Sequence, residues 1–161
     1  MVVAKSTSVA EDLEKRFDGG EVEKEYLALV VGQLAAGEGS INFPLSGREG
    51  SRVSALTYYR VEREYAQTTL VRVRMATGRM HQVRLHFAKL GHPIVMDVKY
   101  GDFTFNRQFR KSHGLKRQFL HASTIALEHR GKKRKWTAPL PDDLAQTLRS
   151  LGEVAGSNSH L

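Results

Sequence analysis

The stretch TTLVRVRMATGRMHQVRLHFAKLGHPIVMDVKYG, residues 68–101, decides the fold. Its first part alternates between two faces, which is typical of a strand with one buried face. The residues expected on the buried face are Val71, Val73 and Met75. After a turn at residues 76–78 the apolar period becomes helical, and Gly91 stands where a helix would end. The stretch therefore predicts a strand that leads into a short helix through a glycine turn.

The junction between this strand and this helix carries side chains that suit an anion. The first helical turn contains Arg79, His81, Gln82 and Arg84. Cations are slightly disfavoured at the positive end of a helix dipole, so we expect a phosphate or a protein carboxylate to compensate them. A solvated basic surface would show the same residues, and the spacing alone leaves both interpretations open.

Composition places the chain among soluble globular proteins with one domain. Its 161 residues are 40% hydrophobic and 26% charged. No apolar run approaches the roughly 20 residues that span a membrane, and the first residues do not have the pattern of a secretory signal. The chain has no cysteine, which excludes disulfides and thiolate metal ligands, and His81 and His86 do not share a helix face. We expect a cytoplasmic protein with no metal and no membrane partner.

The formal net charge of +8 comes from 25 Lys and Arg against 17 Asp and Glu. Acidic residues crowd the first part of the chain, and basic residues form three later clusters. These clusters are Arg72, Arg74, Arg79 and Arg84; Arg107, Arg110, Lys111, Lys116 and Arg117; and Arg130, Lys132, Lys133, Arg134 and Lys135. Several basic clusters in one folded domain favour a polyanionic partner with salt-dependent phosphate contacts. The alternative is a basic surface without a partner.

The order of predicted elements indicates an α+β fold, with a mixed, mainly antiparallel sheet and a few flanking helices. Strands are predicted at residues 1–5, 21–32, 40–45, 54–64, 68–75, 119–129 and 133–138. The strand at 21–32 is apolar on both faces and should be central, and 54–64 should form a hairpin with 68–75. The residues of 54–64 expected to pack inwards are Leu56, Tyr58 and Val61. The loop at 47–51 is expected to be mobile.

Helices are predicted at the two ends of the chain as well. The first begins at Ser8, which forms a capping box with Glu11, and a second runs from residue 142 to 151 and ends at Gly152. Residues 102–116 are predicted to form a surface loop or a weak helix. Basic residues interleaved with Phe103, Phe105 and Phe109 suit contact with an unpaired nucleic acid. Alternatively, the aromatic side chains pin this segment to the body of the protein.

Five short motifs resemble those of the RluA-type RNA pseudouridine synthases. They are KEYLALV at 24–30, GRMHQVR at 78–84, GHPI at 91–94, YG at 100–101 and LHA at 120–122. The resemblance runs in register from about Val2 to about Leu151. It implies an isomerase that converts specific uridines of structured RNA, ribosomal or transfer RNA, to pseudouridine. Such an enzyme breaks the C1′–N1 bond, rotates the uracil and rejoins it through C5, without cofactor or metal.

The resemblance also implies roles for single residues. Tyr26 of the KxYxA motif would pack against the uracil, because a flipped base needs a flat ring to stack on. Arg84, the last residue of GRxHQxR, would pair with the catalytic aspartate, since a carboxylate ionised in a dry pocket needs a fixed cation beside it. The residues expected to contact RNA are Arg72, Arg74, Arg79, His81, Gln82, Lys116 and Arg117.

The sequence departs from the family at the catalytic aspartate. The family's HRLDxxTSG motif is absent, and none of the six aspartates has that context. We therefore expect residues 1–152 to be a pseudouridine synthase catalytic domain that lacks its N-terminal part, and residues 153–161 to be a disordered tail. Arg84 would then have no carboxylate partner, and the chain alone would be inactive and marginally stable, although monomeric when intact. The alternative is a non-catalytic RNA-binding module derived from such an enzyme; a DNA-binding protein is a weaker alternative, because no helix-turn-helix or zinc-finger pattern is present.

Overall fold

The computed structural model describes residues 2–47, 51–129 and 131–156. Four helices lie at α1 Thr7–Asp18, α2 Gln82–Lys89, α3 Phe103–His113 and α4 Asp142–Gly156. Eight strands lie at β1 Glu23–Val31, β2 Glu38–Ile41, β3 Leu45–Ser46, β4 Arg52–Val53, β5 Thr57–Glu64, β6 Thr68–Met75, β7 Leu120–His129 and β8 Lys132–Thr137.

Six of these strands form one antiparallel sheet in the order β2-β5-β6-β1-β7-β8. Strand β1 is central, as predicted, and buries side chains on both faces. Ala28 and Val30 lie in one core cluster with Phe87 of α2. Leu29 lies in the other cluster with Phe119 and with Leu144 of α4. The predicted α+β fold is therefore confirmed, with α2 over one face of the sheet and α3 and α4 over the other.

The predicted hairpin joins β5 to β6, and its turn is closed by a 2.8 Å bond from the Tyr65 N–H to the Thr68 carbonyl. A bulge after Val61 breaks the register of this pairing. The prediction that Tyr58 packs inwards is wrong: its side chain is 39% exposed. Its neighbour Tyr59 packs instead, with its ring centroid 5.8 Å from that of Phe87.

Both ends of the chain differ from the predictions. Residues 2–5 form no strand, and α1 begins at Thr7 because Ser6, and not Ser8, accepts the Val9 N–H at the N-cap. Helix α4 runs past Gly152 to Gly156, so residues 153–156 of the predicted tail are helical. Residues 157–161 and residues 48–50 of the predicted mobile loop lie outside the described residues.

Residues 102–116 contain a regular helix, α3, where a loop or a weak helix was predicted. Asp102 caps it by accepting the Phe105 N–H at 2.9 Å. Phe109 is buried and stacks on Phe105 with 5.6 Å between ring centroids, so these two rings anchor the helix to the body. Phe103, by contrast, is 65% exposed.

Candidate active site

The most buried ion pair of the described residues joins Arg84 on α2 to Asp97 in the loop that follows it. Nε of Arg84 lies 2.6 Å from Oδ2 of Asp97, and Nη2 lies 2.7 Å from Oδ1. The side chain of Arg84 is 13% exposed and that of Asp97 is 0% exposed. A two-pronged bond of this kind fixes the plane of the guanidinium as well as its position. The prediction that Arg84 has no carboxylate partner is therefore wrong, because its partner is Asp97.

The loop that carries Asp97 is held by several further contacts. Oδ1 of Asp97 also accepts two backbone N–H groups, at 2.9 Å from Lys99 and 3.0 Å from Tyr100. The Asn106 amide of α3 donates to the Asp97 carbonyl at 3.0 Å. A Cβ at Gly101 would collide with that same carbonyl oxygen. The carboxylate is therefore placed by the fold of its own loop before it meets the arginine.

Both members of this pair are charged at neutral pH. Burial alone would raise the pKa of Asp97, but the hydrogen bonds from Arg84 and from two backbone amides outweigh burial and hold that pKa below its ordinary value. The hydrogen bond to Asp97 is the main reason that the pKa of Arg84 is raised. Because both carboxylate oxygens are hydrogen-bonded and the side chain is fully buried, Asp97 is suited to orienting Arg84 and not to attacking a substrate.

Gln82 fastens the turn before α2 to strand β5. Its Oε1 accepts the Thr77 hydroxyl at 2.7 Å and the Arg79 N–H at 3.1 Å. Its Nε2 donates to the Leu56 carbonyl and the Thr57 hydroxyl, both at 3.0 Å. The residue is 1% exposed, and these four bonds leave its amide with no group to offer RNA. We therefore assign Gln82 to positioning the turn, in place of the RNA contact that the sequence predicted.

His81 stands at the N-cap of α2 in a left-handed backbone conformation, with φ of 56° and no side-chain cap bond. Its Nδ1 lies 3.2 Å from the hydroxyl of Tyr100. The ring of Tyr100 also lies 4.9 Å below the guanidinium of Arg84. Tyr100 therefore contacts both residues, and a positive φ at a non-glycine residue is a form of strain that clusters at functional sites.

Tyr26 and Lys24 lie on the face of the sheet that α2 covers. Tyr26 is half-buried and packs against the core cluster that contains Val83 of α2. Burial raises the pKa of the Tyr26 hydroxyl, so it stays protonated at neutral pH. The ammonium of Lys24 lies 5.1 Å from the ring centroid of Phe17, and a Cβ at Gly78 would be 3.0 Å from it. Burial also lowers the pKa of Lys24.

The other residues predicted to contact RNA fall into two groups. Two of them have carboxylate partners: Nε of Arg72 lies 2.8 Å from Glu62, and Arg117 holds Asp143 with bonds of 2.6 and 2.9 Å. The exposed ones without an ion pair, in the part of the chain that the structure describes, are Arg74, Arg79 and Lys116. Arg74, Arg79 and Lys116 are therefore the residues of this set that an anionic ligand can reach.

Three residues of the site were not predicted from the sequence: Asp97, Tyr100 and Lys24. A signal for the first two was present, since Asp97 precedes Tyr100-Gly101 by three positions, and an aspartate commonly accepts backbone N–H groups two and three residues ahead. Asp97 does not lie in the HRLDxxTSG motif of the family's catalytic aspartate, so the sequence predicts no catalytic role for it. Lys24 opens the KxYxA motif, two residues before Tyr26 on the same face.

No three His, Asp or Glu side chains of residues 2–47, 51–129 and 131–156 are grouped so that they could hold a metal ion. Over the same residues, no helix is both long enough and apolar enough to cross a bilayer.

Comparison with known proteins identifies the class. The sequence model of the RNA pseudouridylate synthases matches residues 1–89, which is more than half of the chain. Among solved structures, the human RNA pseudouridylate synthase domain containing 1 superposes with a TM-score of 0.72 and 27% identity, over 86% of this chain and 63% of that one. The human RNA pseudouridylate synthase domain containing 4 superposes with a TM-score of 0.80 and 23% identity, over 94% of this chain and 70% of that one, which shows a shared fold. These matches point to one class of protein, the RNA pseudouridylate synthases.

The chain belongs to the RNA pseudouridylate synthase family. It is 38% identical over 165 residues to the ribosomal large subunit pseudouridine synthase C of Escherichia coli K12, which covers 94% of this chain and 52% of that protein. It is 36% identical over 170 residues to the ribosomal large subunit pseudouridine synthase D of Blochmanniella floridana, over 94% and 53%. The chain thus spans about half the length of the curated relatives it matches.

Proposed function

We propose that this chain forms part of an RNA pseudouridine synthase that acts on large-subunit ribosomal RNA. The observation that carries the proposal is the buried pair of Arg84, the last residue of GRxHQxR, with Asp97, since Arg84 lies on a helix that packs on the same face of the sheet as Tyr26. The names of the relatives favour ribosomal RNA over transfer RNA as the substrate.

In the proposed reaction, the C1′–N1 bond of a flipped uridine breaks and a C1′–C5 bond forms, C5 loses its proton, and N1 takes up a proton. Tyr26 stacks on the uracil, and its protonated hydroxyl is available as a donor. Asp97 occupies Nε and Nη2 of Arg84, so Nη1 remains for a second carboxylate. Arg84 would thereby hold the catalytic aspartate in its ionised form.

That aspartate comes, in this proposal, from a segment carrying HRLDxxTSG, and residues 1–152 supply the rest of the catalytic domain. Translation of the reading frame upstream of Met1 is the simplest test. Without such a segment, the chain would function as an RNA-binding module without the chemistry.

The decisive assay is tritium release from C5-labelled uridine in ribosomal RNA. We expect none from the 161-residue chain and release from the chain joined to an HRLDxxTSG segment of a relative. In the joined protein, Tyr26→Ala should abolish release and leave RNA affinity nearly unchanged, because its role is with the base and not with the phosphates. The matched control is Tyr58→Ala, an exposed tyrosine of the same sheet. Release by the chain alone, or equal activity of both variants, contradicts the proposal.

The proposal also includes a monomeric protein in the cytoplasm, with RNA as its partner and no metal in the reaction. The basic surface supports RNA as the partner. Sedimentation of the RNA-free protein and the assay above in the presence of EDTA test it. A dimer, or loss of activity with EDTA, would overturn the corresponding part.

A further inference from the structure

An open groove of about 560 Å³ lies beside α3, away from the contacts between Arg84 and Asp97. Its wall is partly apolar and partly cationic, and it is formed by Met96, Val98, Phe103, Arg107, Arg110 and Lys111. Val98 is 79% exposed and Phe103 is 65% exposed. Large exposed apolar side chains that border a concave surface commonly mark a binding site.

The helical part of this groove is a single stripe. Phe103, Arg107 and Arg110 follow one another at intervals of four and three, so they lie on one face of α3 beside Lys111. The opposite face carries Phe105 and Phe109, which anchor the helix in the core. The stripe is therefore not needed to pack α3, and its aromatic residue, Phe103, remains exposed to solvent.

The cations of the groove are free of ion pairs among the described residues. Within the part of the chain that the structure describes, Arg107, Arg110 and Lys111 make no ion pair, whereas the nearby Arg117 is held by Asp143. The carboxylate of Asp102 at the start of the helix caps the backbone of α3. Three neighbouring unpaired cations create a positive potential that favours an anionic ligand.

The groove is joined to the active-site loop by alternating side chains. Asp97 points to Arg84, while its neighbours Met96 and Val98 line the groove. Asn106 of α3 fixes the junction, because it accepts the Met96 N–H at 2.7 Å and donates to the Asp97 carbonyl. A ligand in the groove therefore lies against the back of the loop that positions Arg84.

We propose that this groove binds a segment of the substrate RNA outside the reacting uridine, with phosphates on Arg107, Arg110 and Lys111 and one unpaired base stacked on Phe103. The inference rests on the proposed function. A positively charged groove that carries an exposed aromatic ring is the usual combination for single-stranded RNA, because the cations follow the backbone and any base stacks on the ring. An acidic peptide would use the cations but has no need of the ring.

The charges are tested by filter binding of a ribosomal RNA hairpin to the 161-residue chain over a range of salt concentrations. Arg107→Gln/Arg110→Gln should lower the affinity about tenfold and reduce the log–log salt slope by roughly 1.5, because each lost phosphate contact removes about 0.7 to 0.9. The matched control, Lys15→Gln/Arg63→Gln, removes the same charge from positions next to glutamates in the sequence and should change neither value. Thermal melts check that both proteins remain folded.

The ring is tested with two RNA probes, the hairpin with its unpaired loop and a perfect duplex of the same stem. Phe103→Ala should weaken hairpin binding about tenfold and leave duplex binding unchanged, since base stacking is lost only where a base is free. Val3→Ala, at another exposed apolar residue, is the control.

Four results would overturn the inference. Equal losses in the groove variant and its charge control would show a general charge effect. An unchanged hairpin affinity in Phe103→Ala, with a loss in the arginine variant, would favour an acidic ligand over RNA. If the wild-type chain binds no RNA, this inference and the RNA-binding part of the proposed function both fail. If the wild-type chain binds RNA and the groove variants bind it as tightly as the wild type, only this inference fails.

Discussion

The α2 site and the α3 groove use polar side chains in opposite ways. At α2, Arg84 has a bidentate carboxylate partner and Gln82 has four internal hydrogen bonds. At α3, Arg107 and Arg110 are exposed, and the structure gives them no ion pair among the described residues. Buried polar groups satisfied inside the protein fix geometry, whereas exposed cations without partners are free to contact a ligand.

This difference explains why the basic residues could not be interpreted as one set. None of the seven residues predicted to contact RNA lines the α3 groove, and the seven do not share one environment: some are buried, some are paired and some are open. The side chain of Gln82 is internal, that of Arg117 is paired, and that of Arg79 is exposed. Charge in the sequence therefore indicates an anionic partner, and only the pairing within the fold indicates which cations reach it.

The largest effect is expected from breaking the buried pair on one side. Asp97→Asn removes the charge that compensates Arg84, and loss of one partner of a buried ion pair costs about 3–5 kcal/mol. Urea unfolding measures the change. The control is Asp102→Asn, where asparagine caps a helix as well as aspartate does, so stability should be nearly unchanged. Similar small losses in both variants would show that the pair contributes geometry without stability.

The second prediction concerns the same pair as a unit. Arg84→Met should also destabilise the protein, because it leaves the fully buried carboxylate of Asp97 without its cation. This differs from the expectation based on sequence, in which Arg84 has no carboxylate partner. The double variant Arg84→Met/Asp97→Asn should be more stable than the sum of the two single losses predicts, by about 1–3 kcal/mol. Strict additivity in urea unfolding would indicate that the two side chains are not coupled.

The smallest effect concerns His86, which is fully buried on α2 and only half satisfied. Its Nε2 lies 2.9 Å from the Phe43 carbonyl, and its Nδ1 has no hydrogen-bond partner in the described structure. Burial lowers the pKa of His86 below its ordinary value of 6.5. Below that pH the unfolded chain binds a proton that the folded chain does not, so stability is complete above about pH 6.5 and falls as the pH decreases.

Urea unfolding at pH 7.5 and pH 5 checks this prediction. His113 has a pKa lowered by burial and contributes with the same sign. The lowered pKa of Asp97 acts in a separate window, since its contribution is present above its ordinary value of 3.8 and is lost as the pH falls further. His86→Gln should therefore flatten the profile between pH 7.5 and 5, and His121→Gln serves as the control. A wild-type profile that is flat over this range would contradict the prediction.

Much of the fold could be predicted because it depends on local periodicity. The change from period two to a helical period at residues 76–78 predicted β6 and α2, and apolar residues on both faces predicted that β1 is central. The errors have physical causes. Leu56, Tyr58 and Val61 do not share one phase of a strand, and the regular pairing of β5 with β6 as far as Val61 places Tyr59, in phase with Val61, on the side of Phe87. Helix α4 tolerates Gly152 because a single glycine costs a helix only about 1 kcal/mol.

The candidate site was less predictable because its contacts are tertiary. The pairing of Arg84 with Asp97 depends on the turn of a loop that is fixed by Asn106 of a later helix. The burial of Gln82 depends on Leu56 and Thr57 in a strand of the preceding hairpin. No local pattern contains these distances, whereas the identity of the motifs was sufficient for the family.

The central claim is that the α2 site sets the chemistry and the α3 groove contributes to RNA affinity. The most direct measurement is filter binding of the same RNA hairpin, at one salt concentration, to Arg84→Met/Asp97→Asn and to Arg107→Gln/Arg110→Gln. The first variant should keep its affinity within about twofold, because the two charges that it removes are paired with each other, while the second should lose about tenfold. A large loss in the first variant with wild-type affinity in the second, both folded by thermal melts, would contradict it.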